Sequence, residues 1–196
     1  TFAAALALGA GASQANASPA ADEPAEAAEP AAELATEAAL VTADGTEVGV
    51  ATFTAVPGGT LVAVVGTGMQ PGFHGLHVHQ TGLCEPDSAA PDDPGTTGDF
   101  LSAGGHIGVG ESDHRHHPGD LTSLYVTEAG DAALTTVTDR FVPADLLDED
   151  GSAVMVHSDP DNFANVPDRY APEGPDQTTL DTGDAGSRVA CGVVRS

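Results

Sequence analysis

His77-Val78-His79 places two imidazoles on one face of an extended strand, because strand side chains alternate with a period of two, and sends Val78 to the opposite face. Two rings at that spacing can reach one metal ion. Alone, the tripeptide reads first as two solvated histidines, but its surroundings argue for a site: all eight histidines lie between His74 and His157. The stretch from His106 to Asp120 adds His106, His114, His116, His117 and the carboxylate of Asp120, nitrogen and oxygen donors of the kind Zn(II) accepts. Glycines within it let the backbone bend around an ion. His157 closes the apolar run Ala153-Val-Met-Val-His. A lone histidine there would be a hydrogen-bonded core residue, whereas a strand end beside a long connection is where sites are built.

The elements that must carry these rings read as short strands. Ala39-Leu-Val-Thr and Thr46-Glu-Val-Gly-Val-Ala-Thr-Phe-Thr flank Asp44-Gly45, a hairpin turn; Thr60 to Val65 follows Pro57-Gly58-Gly59, and Gly75 to His79 follows Pro71-Gly72. Leu121 to Thr127, Ala132 to Thr138, Ala153 to His157 and Arg188 to Val194 complete about eight. That count predicts an all-β fold, an eight-stranded antiparallel Greek-key barrel or sandwich. Two long connections, Gln80 to Asp120 and Ser158 to Ser187, begin beside histidines and are expected to be functional loops.

With 5 basic and 30 acidic residues, no Lys and a formal charge of -25, the chain lacks the basic surface that nucleic acid requires. Phe2-Ala-Ala-Ala-Leu-Ala-Leu-Gly-Ala reads as the apolar part of a secretory signal, cleaved after Ala15, and is too short to span a membrane. A secreted or cell-envelope location follows. Residues 16–37 are rich in Ala, Pro and Glu and are expected to be a disordered spacer, with a helix conceivable over Ala31 to Ala39; the folded domain is expected over 38–196. In an oxidising compartment Cys84 and Cys191 could pair, the alternative being two buried thiols.

Four blocks, Gly72-Phe-His-Gly-Leu-His-Val-His-Gln, Ser102-Ala-Gly-Gly-His, His117-Pro-Gly-Asp-Leu and Gly183-Asp-Ala-Gly-Ser-Arg-Val-Ala-Cys-Gly-Val, resemble in order the signatures of copper/zinc superoxide dismutases. Asn162-Phe-Ala-Asn-Val-Pro-Asp-Arg-Tyr is most similar to the exported actinobacterial branch, some of whose members bind copper without zinc. The resemblance implies copper at His77, His79, His106 and His157, with His106 bridging to zinc held by His117, Asp120 and either His114 or His116. It implies a structural role for His74, a Cys84–Cys191 disulfide, an outer carboxylate at Asp161 that orients a ligand of each metal, and Arg188 beside copper. The implied reaction converts superoxide to dioxygen and hydrogen peroxide, with Arg188 attracting the anion and His106 passing a proton. A homodimer is compatible with it. Only fourteen positions separate His106 from Asp120, a spacing associated with zinc-free members, but the retained donors favour zinc. Asp181 stands where many relatives carry a Lys that attracts superoxide. A copper-buffering protein on the same barrel is the competing expectation, and a copper chaperone is disfavoured by the lack of Cys-x-Cys.

Overall fold

The computed structural model describes residues 35–196, so the expected signal remnant at 1–15 and all but the end of the expected spacer lie outside the described residues. Along the chain come β1 (Ala35–Val41), β2 (Glu47–Val56), β3 (Gly59–Gly66), β4 (Gly72–His74), β5 (Leu76–His79), β6 (Ser88–Ala89), β7 (Thr97–Gly98), β8 (Leu124–Val126), β9 (Ala132–Thr138), β10 (Ala153–His157), helix α1 (Gln177–Thr182) and β11 (Arg188–Val193). β6 and β7 form a small ribbon of their own. The remaining strands make one sheet in the order β4-β8-β9-β3-β2-β1-β11-β10-β5. Because β4 and β5 are halves of one stretch broken at Gly75, the sheet starts and finishes on the same piece of chain. It therefore closes into an antiparallel barrel of eight chain passes, the number the sequence leads one to expect. The β3-to-β4 connection skips β8 and β9, which is the Greek-key crossing.

The alternation that marks these strands is a burial pattern. Val62 and Val64 of β3 point inward with Phe53 of β2, Leu40 of β1 and Leu124 of β8, all fully buried. Each such side chain contributes about 1.5–3 kcal/mol on leaving water. β1 corrects two expectations. It is a strand over residues where a helix seemed conceivable, and it starts three residues before the boundary set at 38. Thr36, Ala38 and Leu40 face the core while Ala35, Glu37 and Ala39 face out, and β2 pairs along its whole length. Sheet pairing overrides the helix preference of alanine.

β5 and β10 differ from the other strands in being buried on both faces. Leu76, Val78, Val154 and Val156 enter the barrel core, whereas Ala153 and Met155 pack on the other face against Phe100, Ala103 and Cys191. His77 lies opposite Met155, and His79 opposite Ala153, so both rings share that second face. A register shift between Val156 and His157 re-aims the end of β10. Covering this face are the connection from β5 to β8, which contains β6, β7 and a 3-10 turn at Leu101–Ala103, and the connection from β10 to β11, which contains α1. No described helix is long and apolar enough to cross a membrane.

Candidate metal centre

Strand geometry brings His77 and His79 to one surface, the end of β10 adds His157, and the β5-to-β8 loop folds His106 over them. The candidate donor atoms of these four rings all lie within 4.8 Å of one another, and all four residues are buried. Each of three rings has one nitrogen fixed by an acceptor. His77 Nε2 donates to Asp161 Oδ2 (2.9 Å), His79 Nδ1 to the Gly104 carbonyl (2.8 Å), and His157 Nδ1 to the Gly186 carbonyl (3.3 Å). The other nitrogens, His77 Nδ1, His79 Nε2 and His157 Nε2, are buried without a hydrogen-bond partner. A donor on one nitrogen sets the tautomer and leaves a lone pair on the other. Three orphaned lone pairs converging beside His106 fit a copper ion, for which imidazole is a suitable ligand in either redox state.

Next to this group, Nδ1 of His106, His114 and His117 lie 3.0, 3.1 and 3.3 Å from the same oxygen, Oδ1 of Asp120. A tetrahedral ion with bonds of about 2.0 Å has ligand-to-ligand edges of about 3.3 Å, so the three edges to Asp120 suit Zn(II). The donor atoms that lie within 4.8 Å of one another here are those of His77, His106, His114 and Asp120, and the His117 ring joins them through Asp120 Oδ1 alone. The far nitrogens are again occupied. His117 Nε2 donates to the Ser112 carbonyl (2.7 Å) and His114 Nε2 to Asp161 (2.8 Å to Oδ1). His114 is buried and His116 exposed, so of the two alternatives only His114 is turned toward the cluster. His106 belongs to both groups, its ring centroid 4.0 Å from that of His77 and 5.6 Å from that of His117. Asp161 likewise touches one ring of each group, His77 and His114.

Charge is distributed unequally between the halves. Burial drives His79 and His157 well below 6.5 and His106 to about 4, so these rings stay neutral and able to bind metal. Burial also opposes a charge on His114, but hydrogen bonds and charge from Asp120 and Asp161 outweigh it and raise this ring to about 9. Both carboxyls are held below their ordinary range against burial, Asp120 by His106 and His114, Asp161 by His114 and His77. The carboxylate half thus has a strong demand for positive charge.

A cleft of about 1180 Å³ opens onto His79, His106, His157 and Arg188. Arg188 donates to the Phe100 carbonyl (2.5 Å) and the Gly104 carbonyl (2.6 Å), and burial lowers its guanidinium to about 10, leaving it charged at neutral pH. Cys84 and Cys191 form a disulfide with Cα atoms 5.7 Å apart, so the loop is tied to β11 both covalently and through Arg188. Closing a loop of 107 residues, the bridge restrains the unfolded chain by about 4.7 kcal/mol on the chain-entropy account. Among the described residues, Arg188 is the only Arg or Lys lining a cleft that also holds Asp44, Asp92, Asp99, Asp181 and Asp184.

The sequence profile of copper/zinc superoxide dismutase matches residues 47–194. The chain belongs to the copper/zinc superoxide dismutase family. Among relatives in the family, a superoxide dismutase [Cu-Zn] of Mycobacterium tuberculosis is 49% identical over 165 residues, covering 80% of this chain and 68% of its own length. Another, from Deinococcus radiodurans, is 32% identical over 167 residues, 80% of this chain and 82% of its own. The solved Cu/Zn superoxide dismutase of Brucella abortus superposes with a TM-score of 0.64 at 29% identity, over 83% of this chain and all of that one. A SOD-like protein from Bacillus subtilis gives 0.60 at 25% identity, over 80% and 96%.

His74, expected to be structural, faces backbone carbonyls with both nitrogens, Nδ1 at 2.6 Å from His157 O and Nε2 at 2.8 Å from Gln70 O. Sequence reasoning missed the carbonyls of Gly104, Gly186 and Ser112, which orient ligand rings, and Arg140, which donates to the His117 carbonyl (3.0 Å). Peptide acceptors carry no residue-type signal, and a single Arg in a turn reads as surface.

Proposed function

We propose that this chain is a superoxide dismutase whose copper is held by His77, His79, His106 and His157 and whose zinc is held by His106, His114, His117 and Asp120. Family membership supports the activity, and the observation that carries the copper site is the trio of buried, unpartnered imidazole nitrogens facing one point beside His106. Copper bound there supplies the alternating one-electron oxidation and reduction of superoxide. Two superoxide anions and two protons give one dioxygen and one hydrogen peroxide.

The chain's own residues bind the anion and manage the proton. Arg188, pinned to two carbonyls and open to the cleft, presents a fixed positive charge to an incoming superoxide and to the peroxide that forms. His106 keeps Nδ1 beside Asp120, leaving Nε2 on the cleft side as the nitrogen that can carry a proton to product. Asp161 holds His77 and His114 in the tautomers that aim their free nitrogens inward. The disulfide supports assignment to an oxidising, extracytoplasmic compartment.

Copper and zinc content per chain, measured with superoxide consumption on the same preparation, tests the reading. The expected result is one copper, one zinc and fast turnover. A copper-loaded chain without turnover would leave a copper-buffering protein on the same barrel.

A further inference from the structure

All four zinc-side donors, His106, His114, His117 and Asp120, sit on residues 106–120 of the β5-to-β8 loop. The ends of this segment are bonded to β5 by the Ile107 N–H to the Val78 carbonyl (2.9 Å) and the Val78 N–H to the Gly119 carbonyl (2.8 Å), while the His114 N–H bonds the Leu180 carbonyl (2.7 Å). The His117 N–H bonds Asp120 Oδ2 (3.1 Å), and the His117 ring bonds Ser112 O (2.7 Å). Those two bonds shape the loop around His117. Arg140 reaches the same residue from the end of β9. Its Nη1 donates to the His117 carbonyl at 3.0 Å in a half-buried contact. Among the described residues it is the only side chain from outside residues 106–120 that donates to the backbone of that segment.

The guanidinium is delivered from a rigid support. Arg140 follows β9, and its N–H meets Thr138 Oγ1 (3.3 Å). The next residue is locked into the core, where the fully buried Thr60 hydroxyl donates to the Phe141 carbonyl (2.8 Å) and the Phe141 ring packs 6.1 Å from that of Phe53. A cation on a carbonyl of a ligand residue fixes that peptide plane, and with it the direction from which the His117 ring approaches Asp120. Arg188 does the same to the Gly104 carbonyl on the copper side. Two of only five cationic side chains in the chain thus brace peptide groups at the site.

We propose that Arg140 is a positioning residue for zinc, acting through the His117 peptide and not on copper. This rests on the zinc assignment above. The test compares full-length wild type with Arg140→Met, which keeps the stem and loses the donors, and Arg140→Lys, which keeps one donor. Zinc affinity is read by competition with a chelating dye on copper-loaded chain, and the geometry by the visible spectrum of Co(II) substituted for zinc. Outer partners of ligand residues alter metal affinity by about 10–100-fold. Because this contact is half-buried, the expected loss in Arg140→Met is about tenfold, with a weakened tetrahedral Co(II) band, partial rescue in Arg140→Lys and copper affinity unchanged. Equal zinc affinity in wild type and Arg140→Met would overturn the proposal. So would a parallel loss of copper and zinc with a lower melting temperature of the metal-free chain, since Arg140 would then act on the barrel. A wild type that takes up no zinc would instead refute the zinc assignment itself.

Discussion

The two halves of the centre are built by different means. Three of the four copper-side rings come from strands, His77 and His79 from β5 and His157 from β10, strands whose inward faces are barrel core; the fourth, His106, is shared with the loop. The positions of the strand-borne three are set by hydrogen-bonded register, and burial keeps His79 and His157 neutral. Zinc-side donors come from a loop whose shape depends on its own carboxylate, on backbone bonds to Val78 of β5 and Leu180 of α1, and on the side chains of Asp161 and Arg140. A site carried by a sheet keeps its form without the ion. One carried by a loop concentrates negative charge and depends on a cation to settle it, which is the state Asp120 and Asp161 impose on His114.

The largest expected effect follows from removing a strand-borne ligand. His157→Ala should abolish copper binding and turnover while zinc and fold persist, because the deleted ring lies at the edge of the core; retained activity with full copper would remove His157 from the site. Acidification should come next. In the metal-free chain His79, His106 and His157 resist protonation, whereas the unfolded rings titrate near 6.5. The unfolded state therefore binds more protons and stability falls as pH drops below about 6.5, with His106, at about 4, contributing about 3 kcal/mol. His114 acts with the opposite sign: its contribution is complete below 6.5 and is lost as pH rises through about 9. Denaturant unfolding across pH should thus give a maximum near 6.5; a flat profile between 4 and 6.5 would mean that the copper-side rings are hydrated.

A smaller effect is expected at Gly183, which ends α1 at φ 61. A methyl there collides with Asp161 Oδ1 and His114 Nε2, so Gly183→Ala should weaken zinc by about 10–100-fold and copper less, measurable by chelator competition. Equal losses at both metals would show that Asp161 does not favour one half. The mildest effect concerns approach of the substrate. With five Asp residues and one Arg lining the cleft, kcat/KM should rise with ionic strength, and Asp181→Lys should raise it a few-fold at low salt. A rate that falls with salt in wild type would mean that the field of Arg188 dominates the entrance.

The same division explains what could be read from sequence. Strands carry their signal in alternation, and His77-Val-His79 follows it, so the barrel and the way these two rings face are apparent from residue types alone. His157 needed its apolar run and the family resemblance. On the loop no period exists: His114 and His116 are equivalent by spacing, and only burial separates them. β1 is longer than its residue types suggest, because alanine says little about strand or helix until a partner strand is present. Arg140 had no signal, since its effect passes through a peptide oxygen far along the chain.

The Gly104 carbonyl accepts from both His79 Nδ1 and Arg188 Nη2. A single oxygen atom is thus the common hinge pin of the ring that grips metal and the cation that greets the anion. Any drift of the turn ending there, whether from a reduced disulfide or a softened Phe100, shifts both partners at once, so grip on copper and capture of superoxide should decline together.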